Sequence, residues 1–332
     1  IANSSHIKNT LQTMIKLAFI LPCYNESEII SDSALELNTL RERLILQDKV
    51  SEDSAIIFVN DGSTDETWNL ITKLHKGNAR ICGINLRKNV GHQNAIYAGM
   101  MELYRDFDAI VTIDADLQDD LNVIDTMLLE YINGADIVYA VKEKRNSDNL
   151  FKRVSAYSFY KVQKLCGIDA MKNHADFRLM SQKAIHELSK YSERNLYLRG
   201  IIPMLGMRSV TVSEEIRERR GGTSKYTLSK MLRLGCDGIT SFSVTPINFI
   251  VYAGVFMMLI ALGMFCYVVG SVLFSYVVPG WASIMISLWF IGAVITLAIG
   301  IIGIYVGKIF IEVKHRPLYS IQEVLGINNE IQ

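Results

Sequence analysis

One long stretch of this 332-residue chain lacks charge: no Asp, Glu, Lys, Arg or His lies from Gly238 to Gly307. Elsewhere charge is balanced, 34 Lys and Arg against 34 Asp and Glu, and no nucleic-acid partner is expected. Cysteine is sparse. The five residues, Cys23, Cys82, Cys166, Cys236 and Cys266, are odd in number and scattered, and one falls in the uncharged stretch. That argues against a disulfide framework or a zinc site and fits a reducing compartment. A Gly-x-Gly-x-x-Gly phosphate loop is also missing, which disfavours a dinucleotide oxidoreductase. No signal peptide is evident, and the polar residues 1–13 read as an extension outside the fold.

The uncharged stretch has room for two membrane helices, each needing about 20 apolar residues. Pro246 suits a first helical position. Ile247 to about Ser271 reads as one span, Val278-Pro279-Gly280-Trp281 as a turn, and Ile284 to about Val306 as the other. Lys225, Lys230 and Arg233 precede the first span, and Lys308, Lys314, His315 and Arg316 follow the second. The positive-inside rule then places both ends in the cytoplasm. Gly303 and Gly307 form a small-xxx-small pair that hints at a homo-oligomer. The expected division is residues 14–230 as a cytoplasmic domain, 231–246 as an interfacial linker helix, 247–308 as a transmembrane hairpin and 309–332 as a cytoplasmic tail.

The remainder alternates. Apolar runs at Leu17–Leu21, Ala55–Val59, Ile81–Leu86, Ala109–Ile113 and Asp136–Val141 read as strands separated by helix-compatible segments. This pattern predicts an α/β fold of parallel βαβ units. Small residues Ala95, Ala98 and Gly99 would let one helix pack closely on the sheet. Right-handed crossovers bring the strand ends to one edge, which collects Glu26, Asp61, Asp114 and Asp116.

The run Ile110–Asp120 ends abruptly in Asp114 and Asp116. Two carboxylates past a strand end make an oxygen-rich site for a hard divalent cation that also holds substrate phosphates. They equally suit an acidic helix start. From Lys142 to Lys164 the chain is basic, with Phe151, Val154, Val162 and Leu165 on one helical face. That fits an interfacial helix meeting anionic headgroups, or a solvated surface helix. His174–Ser181 reads as a polar loop in which Asp176 and Arg178 pair with each other. Arg217–Tyr226 joins basic residues to Gly221-Gly222, which suits phosphate binding or a flexible loop.

Four motifs fall in order: Pro22-x-Tyr24-Asn25-Glu26, Val59-Asn60-Asp61-Gly62-Ser63-x-Asp65, Asn89-x-Gly91-His92-x-x-Ala95 and Asp114-x-Asp116-Leu117-Gln118-Asp119. Over roughly residues 15–230 the chain resembles the family-2 glycosyltransferases, whose catalytic domain is a Rossmann-like A-type fold. Asp176-Phe177-Arg178-Leu179-Met180, Arg219-x-x-Gly222-x-Ser224-Lys225-Tyr226 and the hairpin narrow the likeness to the polyisoprenyl-phosphate glycosyltransferases. That group includes the bactoprenol glucosyltransferases, with dolichol-phosphate mannose synthase more distant.

The resemblance implies inverting transfer of a hexose or N-acetylhexosamine from a nucleotide sugar, UDP-linked, to undecaprenyl phosphate at the cytoplasmic membrane face, for cell-envelope glycosylation. Pro22, Tyr24, Glu26, Asn60, Asp61, Asp114 and Ala115 would bind the nucleotide. Asp116, Asp114 and Gln118 would hold Mg2+ or Mn2+. Arg219, Ser224 and Lys225 would close on the diphosphate or acceptor phosphate, and Lys142, Arg145 and Arg153 would receive the lipid phosphate. Asp176 would lie near the reacting centre with Asp114, Asp116 and Arg219. The Gln-x-x-Arg-Trp motif of processive polysaccharide synthases is missing. Gly91-His92-Gln93 departs from the Phe-Gly-Lys form of glucosyl-specific relatives, so the sugar stays open. The competing functions are a GDP-mannose-dependent synthase, a translocation component and a lipid-phosphate-binding protein without catalysis.

Overall fold

The computed structural model describes residues 14–142, 174–194, 196–214, 245–273 and 280–327. Five apolar runs form β1 (Leu17–Cys23), β2 (Ala55–Asn60), β3 (Ile81–Leu86), β4 (Ala109–Thr112) and β5 (Ile137–Lys142). Between them lie α1 (Ile30–Leu46), α2 (Thr67–Gly77), α3 (His92–Leu103) and α4 (Val123–Ile132). β1 pairs in parallel with β2 and β4, and β2 with β3. Every residue of β1 to β4 is buried, which is why these strands read as unbroken apolar runs rather than alternating ones.

The sheet is covered on both faces. One core joins Leu37 and Leu44 of α1, Ile71 of α2 and Met127 of α4 to Phe19 and Phe58. The other joins Ile96 and Met100 of α3 to Ile20, Ile57 and Ile84. At Gly99 a Cβ would stand 2.9 Å from the methyls of Ile20 and Val59, so α3 lies as close as the absence of a side chain permits.

Three strands were not expected. His174–Ser181, read from sequence as a polar loop, is β6, antiparallel between β4 and β5. Its alternation of Asp176 and Arg178 with Phe177 and Leu179 is strand periodicity in which both the polar and the apolar residues are buried. α5 (Gln182–Ser189) follows, with Ser181 Oγ accepting from Ala184 N at 3.0 Å as its N-cap. Then come α6 (Leu198–Met204) and β7 (Ser209–Glu214), parallel to β5.

Two long apolar helices, α7 (Thr245–Leu273) and α8 (Trp281–Val313), precede the final strand. Among the described residues, Phe290–Val313 is the one stretch long and apolar enough to cross a membrane, and Ile247–Met257 is apolar but shorter. After α8 the chain rejoins the sheet. Ile321–Leu325, expected within a cytoplasmic tail, is β8, antiparallel to β3. It covers an edge that would otherwise leave β3 unpaired, and Trp68 Nε1 of α2 donates to Glu323 at 3.1 Å. The strand order is β7-β5-β6-β4-β1-β2-β3-β8. The basic stretch after Lys142, with Arg145 and Arg153, and Arg219, Ser224, Lys225, residues 231–244 of the expected linker, and Val278 and Pro279 of the expected turn all lie outside the described residues.

Candidate active site

The site forms where the parallel strands end. Cys23 of β1 lies opposite Asn60 of β2, so the turns after both strands meet. Asn25, with a left-handed φ of 54°, accepts from Thr64 N at 2.9 Å through its side-chain oxygen, and its own N–H donates to Ser63 Oγ at 2.9 Å. Glu26 N donates to Thr67 Oγ1 at 3.0 Å. Pro22 is buried at the end of β1, and Tyr24 is exposed at the rim. Cys23 is buried, its thiol pushed up by that burial and by Glu26, Asp61 and Asp65, so it is no nucleophile.

Two residues expected to touch nucleotide also tie the framework together. Asn60 is buried and donates to Asn85 Oδ1 at 2.8 Å, tying β2 to β3. Asp61 is buried, and its two oxygens accept from Val90 N at 2.7 Å and Gly91 N at 3.0 Å. Burial raises its pKa and those two bonds oppose the rise. Asp61 thereby fixes the turn that enters α3.

Past β4, Leu117 N closes a turn on the carbonyl of Asp114 at 3.1 Å. Leu117 is left-handed, φ 45°, a conformation that costs a non-glycine residue about 1–2 kcal/mol. The turn leaves Asp114 and Asp116 exposed and Ala115 buried, with Ser33 Oγ of α1 donating to the Ala115 carbonyl at 2.6 Å. Gln118 Nε2 donates to Asp116 Oδ2, so its amide carbonyl is what remains for a ligand.

β6 runs antiparallel, so its first residues arrive at the edge where β4 ends. Thr112 Oγ1 donates to the Asp176 carbonyl at 2.5 Å. Asp176 then becomes the centre of a buried charge cluster. Arg178 Nη2 donates to its Oδ1 at 2.7 Å, and Arg199 of α6 donates from Nε to Oδ1 at 3.2 Å and from Nη2 to Oδ2 at 3.0 Å. His92, first residue of α3, places Nε2 3.3 Å from Asp176 Oδ2 and 3.4 Å from Asp114 Oδ1. The Asp176–Arg178 pairing is as read from sequence. His92 was visible only as part of a motif, and Arg199 carried no signal.

Burial alone would raise the Asp176 pKa, but the His92 hydrogen bond and the two guanidiniums outweigh it and hold the carboxyl well below its usual range. For His92, burial would lower the pKa, and Asp176 and Asp114 outweigh it and raise it. Asp114 is pushed up to about 6, first by the protein around it and then by Asp176, Asp119 and Asp116, against His92. Half of its side chain faces the cleft, so water tempers this shift.

Asp114 and Asp116 do not make a metal cage alone: among the described residues no group of three or more His, Cys, Asp or Glu could hold an ion. Two exposed carboxylates do fit a cation shared with a diphosphate, since Mg2+ binds through one or two carboxylates, substrate phosphates and water. Lys142 ends β5 opposite Glu214 of β7.

The model of glycosyl transferase family 2 matches residues 18–189, which contain the turns after β1, β2 and β4, His92 and Asp176. The chain belongs to that family. It is a glycosyltransferase with an α/β fold of the A-type class. The glycosyltransferase YkoT of Bacillus subtilis is 43% identical over 93% of this chain and 92% of its own. The bactoprenol glucosyl transferase of Shigella phage SfV is 34% identical over 93% of this chain and 98% of its own. Among solved structures, the mannosyltransferase PcManGT of Pyrobaculum calidifontis, in complex with GDP-Man and Mn2+, aligns over 90% of this chain and 86% of its own with a TM-score of 0.46 and 16% identity.

Proposed function

We propose that this glycosyltransferase moves a sugar from a nucleotide sugar, UDP-linked, to undecaprenyl phosphate at the cytoplasmic face of the membrane. One observation carries the reading: the likeness to the bactoprenol glucosyl transferases runs through the catalytic domain and the apolar helices together.

Asp116 and Asp114, with the Gln118 carbonyl, would hold Mg2+ or Mn2+. The cation would neutralise charge on the leaving nucleoside diphosphate. Pro22, Tyr24, Glu26, Asn60 and Asp61 would line the nucleotide side, the last two also tied into the framework. The acceptor is a phosphate monoester, already anionic at neutral pH, so attack on the anomeric carbon needs no strong base. Asp176 suits that chemistry as an anchor rather than a base. A general base works best with a pKa near the operating pH, and this carboxyl is held far below it. Its role is to hold Arg199 and His92 at the cleft, where they would orient the acceptor phosphate or a sugar hydroxyl. Arg219, Ser224 and Lys225 would complete the diphosphate clamp, and Lys142, Arg145 and Arg153 the basic path for the lipid phosphate.

The placement of β8 supports a two-span hairpin. The catalytic domain precedes α7, and β8, which follows α8, pairs with β3 of that same sheet. An even number of crossings between them fits that pairing. If Phe290–Val313 spans, a second span lies before it, and α7, 29 residues long with Phe249, Tyr252 and Leu259 exposed, supplies it. At about 1.5 Å per residue it exceeds a hydrocarbon core of about 30 Å.

The test is a donor panel. Membranes holding the full chain, with undecaprenyl phosphate added, are incubated with radiolabelled UDP-glucose, UDP-N-acetylglucosamine, UDP-galactose or GDP-mannose. One UDP-sugar is expected to give lipid-soluble label. Label from GDP-mannose alone would replace the donor assignment, and no label from any donor would overturn the function.

A further inference from the structure

At the sheet-side end of α8, Glu312 accepts the backbone N–H of Arg194 on both carboxylate oxygens, each at 2.9 Å. Arg194 stands just ahead of α6, whose first turn carries Arg199. The start of α6 is gripped from a second side: Gln93 Oε1, next to His92 on α3, accepts from Leu198 N at 2.8 Å. Arg199 then clasps Asp176 through two nitrogens. Beyond α8 the chain stays fixed, because Tyr319 Oη donates to Glu102 of α3 at 3.0 Å and β8 joins the sheet. The apolar helix and the buried charge cluster thus hold, by hydrogen bonds, two points five residues apart in the chain, Arg194 and Arg199.

We propose that Glu312 is a positioning residue that couples the end of α8 to the active site through Arg194 and α6, setting the place of Arg199 on Asp176. Hydrogen bonds to an ionised acceptor are roughly twice as strong as neutral ones, which suits a carboxylate that holds a backbone N–H. Small displacements matter here, since about 1 Å of misplacement can cost about a hundredfold in rate. A lipid acceptor reaches the site from the membrane, so the register between α8 and the Asp176 cluster fixes where its phosphate meets the donor. The proposal rests on the reading of the Asp176 cluster as part of the transfer site.

The experiment is a double-mutant cycle on the full chain in lipid nanodiscs, following transfer to undecaprenyl phosphate. Glu312→Ala is expected to lower kcat about tenfold while the KM for nucleotide sugar and the thermal midpoint stay unchanged. Glu312→Gln, whose amide oxygen still accepts, is expected to recover most of the loss. In an Arg199→Ala background, Glu312→Ala is expected to add no further loss. An equal loss in both backgrounds would place Glu312 on another path and overturn the coupling. Full turnover in Glu312→Ala with a crippled Arg199→Ala overturns the coupling alone. Full turnover in Arg199→Ala overturns the role of the Asp176 cluster and the coupling with it.

Discussion

Arg199 meets Asp176 edge to edge, Nε on one carboxylate oxygen at 3.2 Å and Nη2 on the other at 3.0 Å, although the two residues sit on separate elements. On the inner side of the same carboxylate lies Arg178, fully buried. Asp176→Ala leaves that guanidinium without its counter-charge. Removing one member of a buried pair costs about 3–5 kcal/mol, and thermal unfolding of the purified protein followed by circular dichroism is expected to show the loss. An unchanged midpoint would mean that Arg178 is neutralised elsewhere.

Asp116→Asn removes charge from an exposed position, so stability is expected to hold. Transfer is expected to vanish, and titration calorimetry with Mn2+ and UDP is expected to show weakened binding. Chelating the cation with EDTA is expected to have the same effect on the unaltered protein. Full activity in Asp116→Asn would move the metal away from this turn.

With Asp114 proposed as a cation ligand, its raised pKa is expected to give nucleotide binding a pH dependence. A cation binds the ionised carboxylate, and this one takes up its proton as the pH falls through about 6. Cation-dependent affinity is expected to be level above that point and to fall by up to about tenfold per unit below it. Titration calorimetry from pH 5 to 8 checks the sign: affinity that rises toward low pH would exclude Asp114 as a ligand. UDP without cation is the control.

Gly99→Val tests the seat of α3. The new side chain would begin 2.9 Å from the methyls of Ile20 and Val59. Overpacking of this kind costs about 1–3 kcal/mol, and it would displace the helix that carries His92 and Gln93. Chemical denaturation is expected to show the lower stability, with transfer reduced alongside it.

How much of this was legible in the sequence depended on range. β1 to β5 were readable because parallel strands buried on both faces are continuous apolar runs between turn formers. β6 was not, because buried Asp176 and Arg178 look like loop residues until the strand pairs that hide them are known. β8 is five residues at an edge, two of them Gln322 and Glu323, and its partner β3 lies far earlier in the chain. Asp114 and Asp116 stood out, since a strand and its turn are local. Arg199 did not, since nothing near it in sequence points to Asp176. The framework bonds of Asn60 and Asp61 were hidden for the same reason: their partners Asn85, Val90 and Gly91 are supplied by the next βα unit.

The edge position of β8 orders the events of synthesis. The strand next to β3 leaves the ribosome only after both long helices have been made. Until then β3 presents open N–H and C=O groups, a surface on which unfinished chains can pair with one another. Synthesis of the apolar helices thus comes before completion of the sheet. A chain cut ahead of α7 to obtain a water-soluble enzyme would keep Asp114 and Asp176 and still carry a permanently open edge. Such a fragment is expected to aggregate, and adding a peptide of residues 315–327 is expected to reduce that aggregation.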